Sequence, residues 1–130
     1  MQKDTIFALS TPQGVGGVAV IRISGPQAQA ALQALFQPAG TSPMEPRKLI
    51  YGRFVFDGTQ IDDGMAVLFC APASYTGEDS AELHCHGSLA VVQQLLGALG
   101  TLPGLRPAEP GEFTKRAFLH GKMDLSQAEA

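Results

Sequence analysis

Basic side chains are scarce in this sequence: nine Lys and Arg stand against twelve Asp and Glu, for a formal charge of −3. Phosphate backbones are gripped by clustered cations, so this balance argues against a stand-alone nucleic-acid binder. Cysteine is scarcer still. Cys70 and Cys85 are too few for a disulfide framework in 130 residues, and both lie in apolar, strand-like runs that read as buried, reduced thiols. Long apolar runs are missing as well: Gly, Pro or charge interrupts each one far short of the roughly 20 residues a membrane span requires. The opening Met1-Gln2-Lys3-Asp4-Thr5 lacks the basic-then-apolar build of a secretory signal. These absences point to a cytoplasmic chain with no membrane association.

What is present suits one ordinary folded domain. Hydrophobic residues make up 45% and charged residues 16%, a balance that excludes intrinsic disorder. A chain of this length buries roughly two-thirds of its unfolded surface. Fifteen glycines and nine prolines imply many turns. Thr5 to Leu9 and Val18 to Ile23 are β-branched runs. The second is nearly all apolar, as in a strand covered on both faces, with Arg22 as its lone charge. Ser24-Gly25-Pro26 opens a helix with proline at the first helical position, and Ala28, Ala31, Leu32, Leu35 and Phe36 give it one apolar stripe. Pro38 to Arg47 has no periodicity and reads as a loop. Leu49 to Phe56 and Ile61 to Phe69 flank Asp57-Gly58, a hairpin signal.

Pro72 to Asp79 is a second loop. Ala81, Leu83 and Cys85 then alternate with Glu82, His84 and His86, the period of a strand with one apolar face. Ser88 caps a helix lined by Leu89, Val92, Leu96 and Leu99, which Gly100 and Pro103 end. A Pro/Gly loop leads to one or two helical turns over Glu112 to Leu119. Asp124-Leu125-Ser126-Gln127 has capping-box spacing for a further helix, cut short at Ala130. Strands and helices interleave with no internal boundary. The fold class expected is α+β (mixed α/β), a single domain with a mixed sheet packed by helices.

Several motifs fail on inspection. Gly14, Gly16 and Ala19 satisfy a relaxed dinucleotide-binding spacing, but strand chemistry follows where a helix N-terminus is needed, which leaves either a plain tight turn or a Gly-rich turn where backbone approaches a ligand or a partner chain. Gly121-Lys122 is followed by Met123 instead of Ser or Thr, and no P-loop exists in these residues. His84-Cys85-His86 cannot converge on one metal ion from a strand, because Cys85 points the opposite way. Asp62-Asp63 reads as a solvated hairpin end. No nucleophile elbow occurs. Two features keep a functional reading beside a bland one. Glu82, His84 and His86 share a strand face that is either solvated or lines a pocket. The cations of Pro110 to Phe118 and Lys122 belong either to a surface helix packed on Phe113 and Phe118 or to a rim for an anionic ligand.

Four blocks taken together carry a resemblance. They are Thr11-Pro12-Gln13-Gly14-Val15-Gly16-Gly17 with Ile21-Arg22-Ile23-Ser24-Gly25; Tyr75-Thr76-Gly77-Glu78-Asp79 with Glu82 and His86-Gly87; Pro110-Gly111-Glu112-Phe113-Thr114; and Gly121 to Ala130. In this order they resemble the N-terminal domain of the MnmE (TrmE) family of tRNA modification GTPases. The resemblance runs from Asp4 to Ala130. Gln13 and Ser88 depart from the family's usual proline and glycine.

The resemblance implies a tetrahydrofolate-binding and dimerisation domain over residues 1–119, similar to the folate domain of the glycine-cleavage aminomethyltransferase. Residues 120–130 would begin a helical domain. It further implies a homodimer, a heterotetramer with the flavin-containing partner MnmG (GidA), and tRNA as the substrate of the full complex. There an aminomethyl or carboxymethylaminomethyl group is placed on a wobble uridine. The one-carbon unit would come from a formyl- or methylene-tetrahydrofolate. GTP, magnesium and potassium would belong to a GTPase domain that these residues do not contain. By the same resemblance the folate contacts fall on Arg22, Glu82 and Lys122. A pterin offers its 2-amino group and ring N–H side by side, which a carboxylate such as Glu82 accepts, while cations suit the ring carbonyl or the glutamyl carboxylates. A dimerisation scaffold without a small-molecule site is the alternative. A self-contained aminomethyl transferase finds no nucleophile or acid–base pair here.

Overall fold

The computed structural model describes residues 4–11, 17–41 and 43–124. Among them the elements run β1 (Thr5–Leu9), β2 (Val18–Ser24), α1 (Ala28–Leu35), β3 (Phe36–Pro38), β4 (Ile50–Phe56), β5 (Thr59–Phe69), β6 (Ser80–His86), α2 (Leu89–Gly100), β7 (Leu105–Pro107) and α3 (Glu112–Leu119). The strands form one seven-stranded sheet in the order β3-β4-β5-β6-β2-β1-β7. All neighbours are antiparallel except β1 and β7, so the sheet is mixed and the class α+β. No helix of the described residues is long and apolar enough to cross a membrane.

Period-two alternation decides the layers. Ala19, Ile21 and Ile23 of β2 stand opposite Cys85, Leu83 and Ala81 of β6, and all six are buried. Against this face α1 packs Ala28, Ala31, Leu32 and Leu35, and α2 packs Val92, Leu95, Ala98 and Leu99. The other face carries two cross-strand rows. Val20, His84, Met65 and Tyr51 form one, and Arg22, Glu82 and Val67 form the next. Tyr51 and Met65 are exposed, which leaves much of this face open.

Several expectations are corrected. The second face of β2 is only partly covered, with Val18 exposed and Val20 and Arg22 half-buried, so its apolar run overstates its burial. The first helix begins at Ala28 instead of Pro26. Gly25 sits at φ +137°, where a Cβ would meet Thr5 at 2.7 Å, and the Gln27 N–H donates to Thr5 Oγ1, holding this turn out of the helix. Phe36 starts β3 and packs its ring 5.4 Å from that of Phe54. Ser88 caps α2 as expected, accepting from the Val91 N–H at 3.2 Å, but Leu89 is exposed and Leu95 and Ala98 complete the buried stripe. Strands β3 and β7 carry no strand period in the sequence, since three residues at a sheet edge are too few to show one. Cys70 falls just beyond β5 and is exposed. Cys85 is buried, and burial pushes its thiol up to about 11. Most of the Thr11–Gly17 loop and the helix expected from Asp124 onward lie outside the described residues.

Candidate functional site

Arg22 and Glu82 face each other across the β2–β6 ladder, an arrangement that antiparallel register dictates. Arg22 Nη2 donates to Glu82 Oε2 at 3.4 Å, and His84 Nε2 lies 3.1 Å from Glu82 Oε1. The hydrogen bond from His84, reinforced by the Arg22 charge, holds the Glu82 carboxyl below its ordinary value despite partial burial. The Arg22 guanidinium also lies over the Tyr75 ring, 5.1 Å from its centroid, and 5.9 Å from that of Phe113. Arg22 is thus fixed from two sides.

A cleft of about 350 Å³ opens beside this pair. Arg22, Glu82 and Lys122 all line it, so the structure brings the three sequence-predicted residues to one site. Tyr75, Phe69 and Arg47 line it too. Tyr75 was legible within the Tyr-Thr-Gly-Glu-Asp block. Arg47 was missed, because it ends a loop without periodicity.

The walls are held by polar contacts that run from the surface into the interior. In the 72–79 loop, Asp79 Oδ1 accepts from the Ala71 N–H at 2.8 Å, and Ser74 Oγ donates to the Glu78 carbonyl at 2.5 Å. Thr76 Oγ1 meets Ser24 Oγ at 2.6 Å, tying the loop to the end of β2. Glu78 accepts from Ser24 Oγ and from Arg116 Nη1. Arg116 was expected on a surface helix or a cationic rim. Instead its side chain is fully buried, where Asp4, Glu78 and Glu112 surround it. Helical spacing gives the Glu112 partner at i−4 but does not reveal that Asp4 and Glu78 converge on Arg116 from outside α3. Phe118 is exposed and is not tucked beneath α3. Lys122 follows α3, its N–H donating to the Ala117 carbonyl at 2.8 Å and its Nζ to the Pro72 carbonyl at 3.2 Å.

His86 shares the Glu82 face but turns to a different cluster. Its N–H and Nδ1 both meet the Asp62 carboxylate, at 2.8 Å, while Asp63 accepts from the Tyr51 hydroxyl at 2.5 Å. Asp62 and Asp63 therefore cross-link strands and do not form a solvated hairpin end. One donor atom each of Asp62, Asp63 and His86 lies within 4.8 Å of the others, and the hydrogen bonds to Asp62 and Asp63 account for this proximity. Elsewhere an apolar groove between α2 and the β1–β7 edge is lined by Phe7, Leu9, Leu96 and Pro107 and carries no charge.

Fold and cleft together define an α+β domain with a small, open cleft whose charged lining is mostly cationic. Residues 5–122 match the sequence family described as GTP-binding protein TrmE N-terminus, and the chain belongs to that family. It is similar to the tRNA modification GTPase MnmE of Parvibaculum lavamentivorans, at 53% identity over 97% of this chain and 28% of the relative. The protein of that name from Alkalilimnicola ehrlichii is 53% identical over 100% of this chain and 28% of the relative. The one from Rhodospirillum rubrum is 49% identical over 100% and 31%. The chain therefore spans less than a third of the length of these curated relatives.

Proposed function

We propose that this chain is the tetrahydrofolate-binding and homodimerisation module of a GTPase that modifies the wobble uridine of tRNA together with a flavoprotein partner, MnmG (GidA). The convergence of Arg22, Glu82 and Lys122 on one cleft carries this reading. The lining suits a reduced folate. Glu82 is an ionised, two-oxygen acceptor for the adjacent N–H groups of a pterin, Tyr75 offers an aromatic face, and Arg22 and Lys122 meet the ring carbonyl and the glutamyl carboxylates. When bound, the folate supplies the one-carbon unit for C5 of the uridine.

The chain's own residues bind and orient. Arg22 and His84 set the Glu82 carboxylate, the 72–79 loop forms one wall, and α3 delivers Lys122. The module runs through Lys122, whose side chain lines the cleft, and a helical domain follows it in the full-length protein. GTP hydrolysis, with magnesium and potassium, belongs to the part of the relatives' length that this chain does not span. The setting is the cytoplasm. Homodimerisation is the module's second role.

Calorimetric titration with 5-formyl-tetrahydrofolate tests the reading. Glu82→Gln is expected to weaken binding at least tenfold, since it replaces one acceptor oxygen of a charge-assisted pair by a donor. Asp57→Asn, in the exposed β4–β5 turn, is expected to change nothing. Equal effects of the two substitutions would reject Glu82 as the pterin acceptor. A folded wild-type chain that binds no folate would leave a dimerisation scaffold.

A further inference from the structure

The cleft is lined by three cations, Arg22, Arg47 and Lys122, and one carboxylate, Glu82. That excess stands out in a chain of net charge −3. It is also unevenly used. Arg22 donates to Glu82, Arg53 to Gln37, Arg106 to Asp4 and Glu112, and Arg116 to Asp4, Glu78 and Glu112. Arg47 differs from all of these: among the described residues its guanidinium has no hydrogen-bond or ion-pair partner. The neighbouring Glu45 is paired with Lys48 instead.

The backbone at Arg47 is built with some care. Its φ is +62°, in the left-handed region that a long side chain seldom adopts. The Arg47 N–H donates to the Leu68 carbonyl at 2.7 Å, and Pro46 bridges to Leu68 in parallel fashion, so β5 holds the loop in this conformation. A strained backbone locked against the sheet beside Phe69 presents an unneutralised, five-donor fork at the cleft. A guanidinium in such a place suits a planar carboxylate.

We propose that Arg47 is a further ligand-binding residue, which receives a carboxylate of the folate's glutamyl tail and so makes the cleft select for tail-bearing, anionic folates. This assignment rests on the folate reading above. It divides the work of the cleft: Glu82 and Arg22 engage the pterin end, and Arg47 with Lys122 engages the anionic end.

The test titrates the chain with two probes, 5-formyl-tetrahydrofolate and 6-methyl-tetrahydropterin, which lacks the tail, followed to millimolar concentration. Arg47→Asn removes the charge while tolerating the positive φ, and an unchanged melting temperature shows that the fold is kept. The substitution is expected to weaken the tail-bearing folate about tenfold, the scale of one charge-assisted hydrogen bond, and to leave the tail-less pterin within about twofold. Arg47→Lys restores most of the loss. Glu82→Gln weakens both probes. Equal losses for both probes on Arg47→Asn, or no loss for either, overturn the assignment while leaving the folate reading in place. A wild-type chain that binds neither probe overturns the folate reading and this assignment with it.

Discussion

Glu82 functions here as an anion whose rotamer is set by its neighbours. His84 stands two residues along the same strand, so its ring reaches Oε1 from the open face, while Arg22 approaches Oε2 from the facing strand. Replacing His84 by Ala removes the leading cause of the depressed Glu82 pKa and is expected to move that pKa back up toward 4.5, its ordinary value. Carboxyl carbon chemical shifts followed against pH check this. An unmoved titration would show that Arg22 alone sets the group. At this scale the sequence was readable where a residue broke a pattern. Arg22 is the one charge in an apolar strand, and Glu82 sits on the polar face of an alternating one. Arg47 and the buried Arg116 were not readable. Asp4 and Glu78 reach Arg116 from distant parts of the chain, β5 holds the Arg47 backbone, and neither residue breaks a local period.

The central strands explain how close approach shapes the elements. Gly64 of β5 stands opposite Gly52 of β4, and a Cβ added to Gly64 would come 2.2 Å from the His84 carbonyl oxygen. Backbone cannot yield as a flexible side chain does. Gly64→Ala is expected to cost about 2 kcal/mol and to lower the melting midpoint by roughly 5–10 °C. A neutral variant would show that β5 and β6 can separate without loss. Elements with a full period were legible from the chain: β4 and β5 around their Asp57-Gly58 turn, β6 by its alternation, and α2 by its Ser88 cap. The short edge strands β3 and β7 were not, since edge pairing is a tertiary event. The onset of α1 was misplaced for a related reason, because a hydroxyl from β1 claims the Gln27 N–H.

Across the described residues, one ion network joins the first of them, Asp4, to the last of their helices, α3. Asp4 just before β1, Glu78 of the cleft loop, Arg106 of β7 and Glu112 and Arg116 of α3 make up this network. The hydrogen bond from Arg106 holds the Glu112 carboxyl at about 2 in the folded chain, against an ordinary 4.5. A lowered folded pKa stabilises above the unfolded value, so this contribution is full above about pH 4.5 and disappears as pH falls toward 2. Between pH 6 and pH 3 the expected loss is about 1 kcal/mol, because pH 3 still lies above the folded value and Arg106 is partly open to solvent. Urea unfolding at pH 6 and pH 3 should show it in the wild-type chain and not in Glu112→Gln; parallel losses in both would place acid sensitivity elsewhere. The mixed α+β class was legible from interleaved periods, whereas the open sheet face and the convergence of three distant residues on one cleft required the strand order. The account's central claim is that this cleft holds a reduced folate. Its most direct test is a backbone amide NMR titration of the chain with 5-formyl-tetrahydrofolate. Saturable shifts confined to the neighbourhood of Arg22, Arg47, Tyr75, Glu82 and Lys122 are predicted. Absence of shifts, or shifts gathered in the apolar groove beside α2, would contradict it.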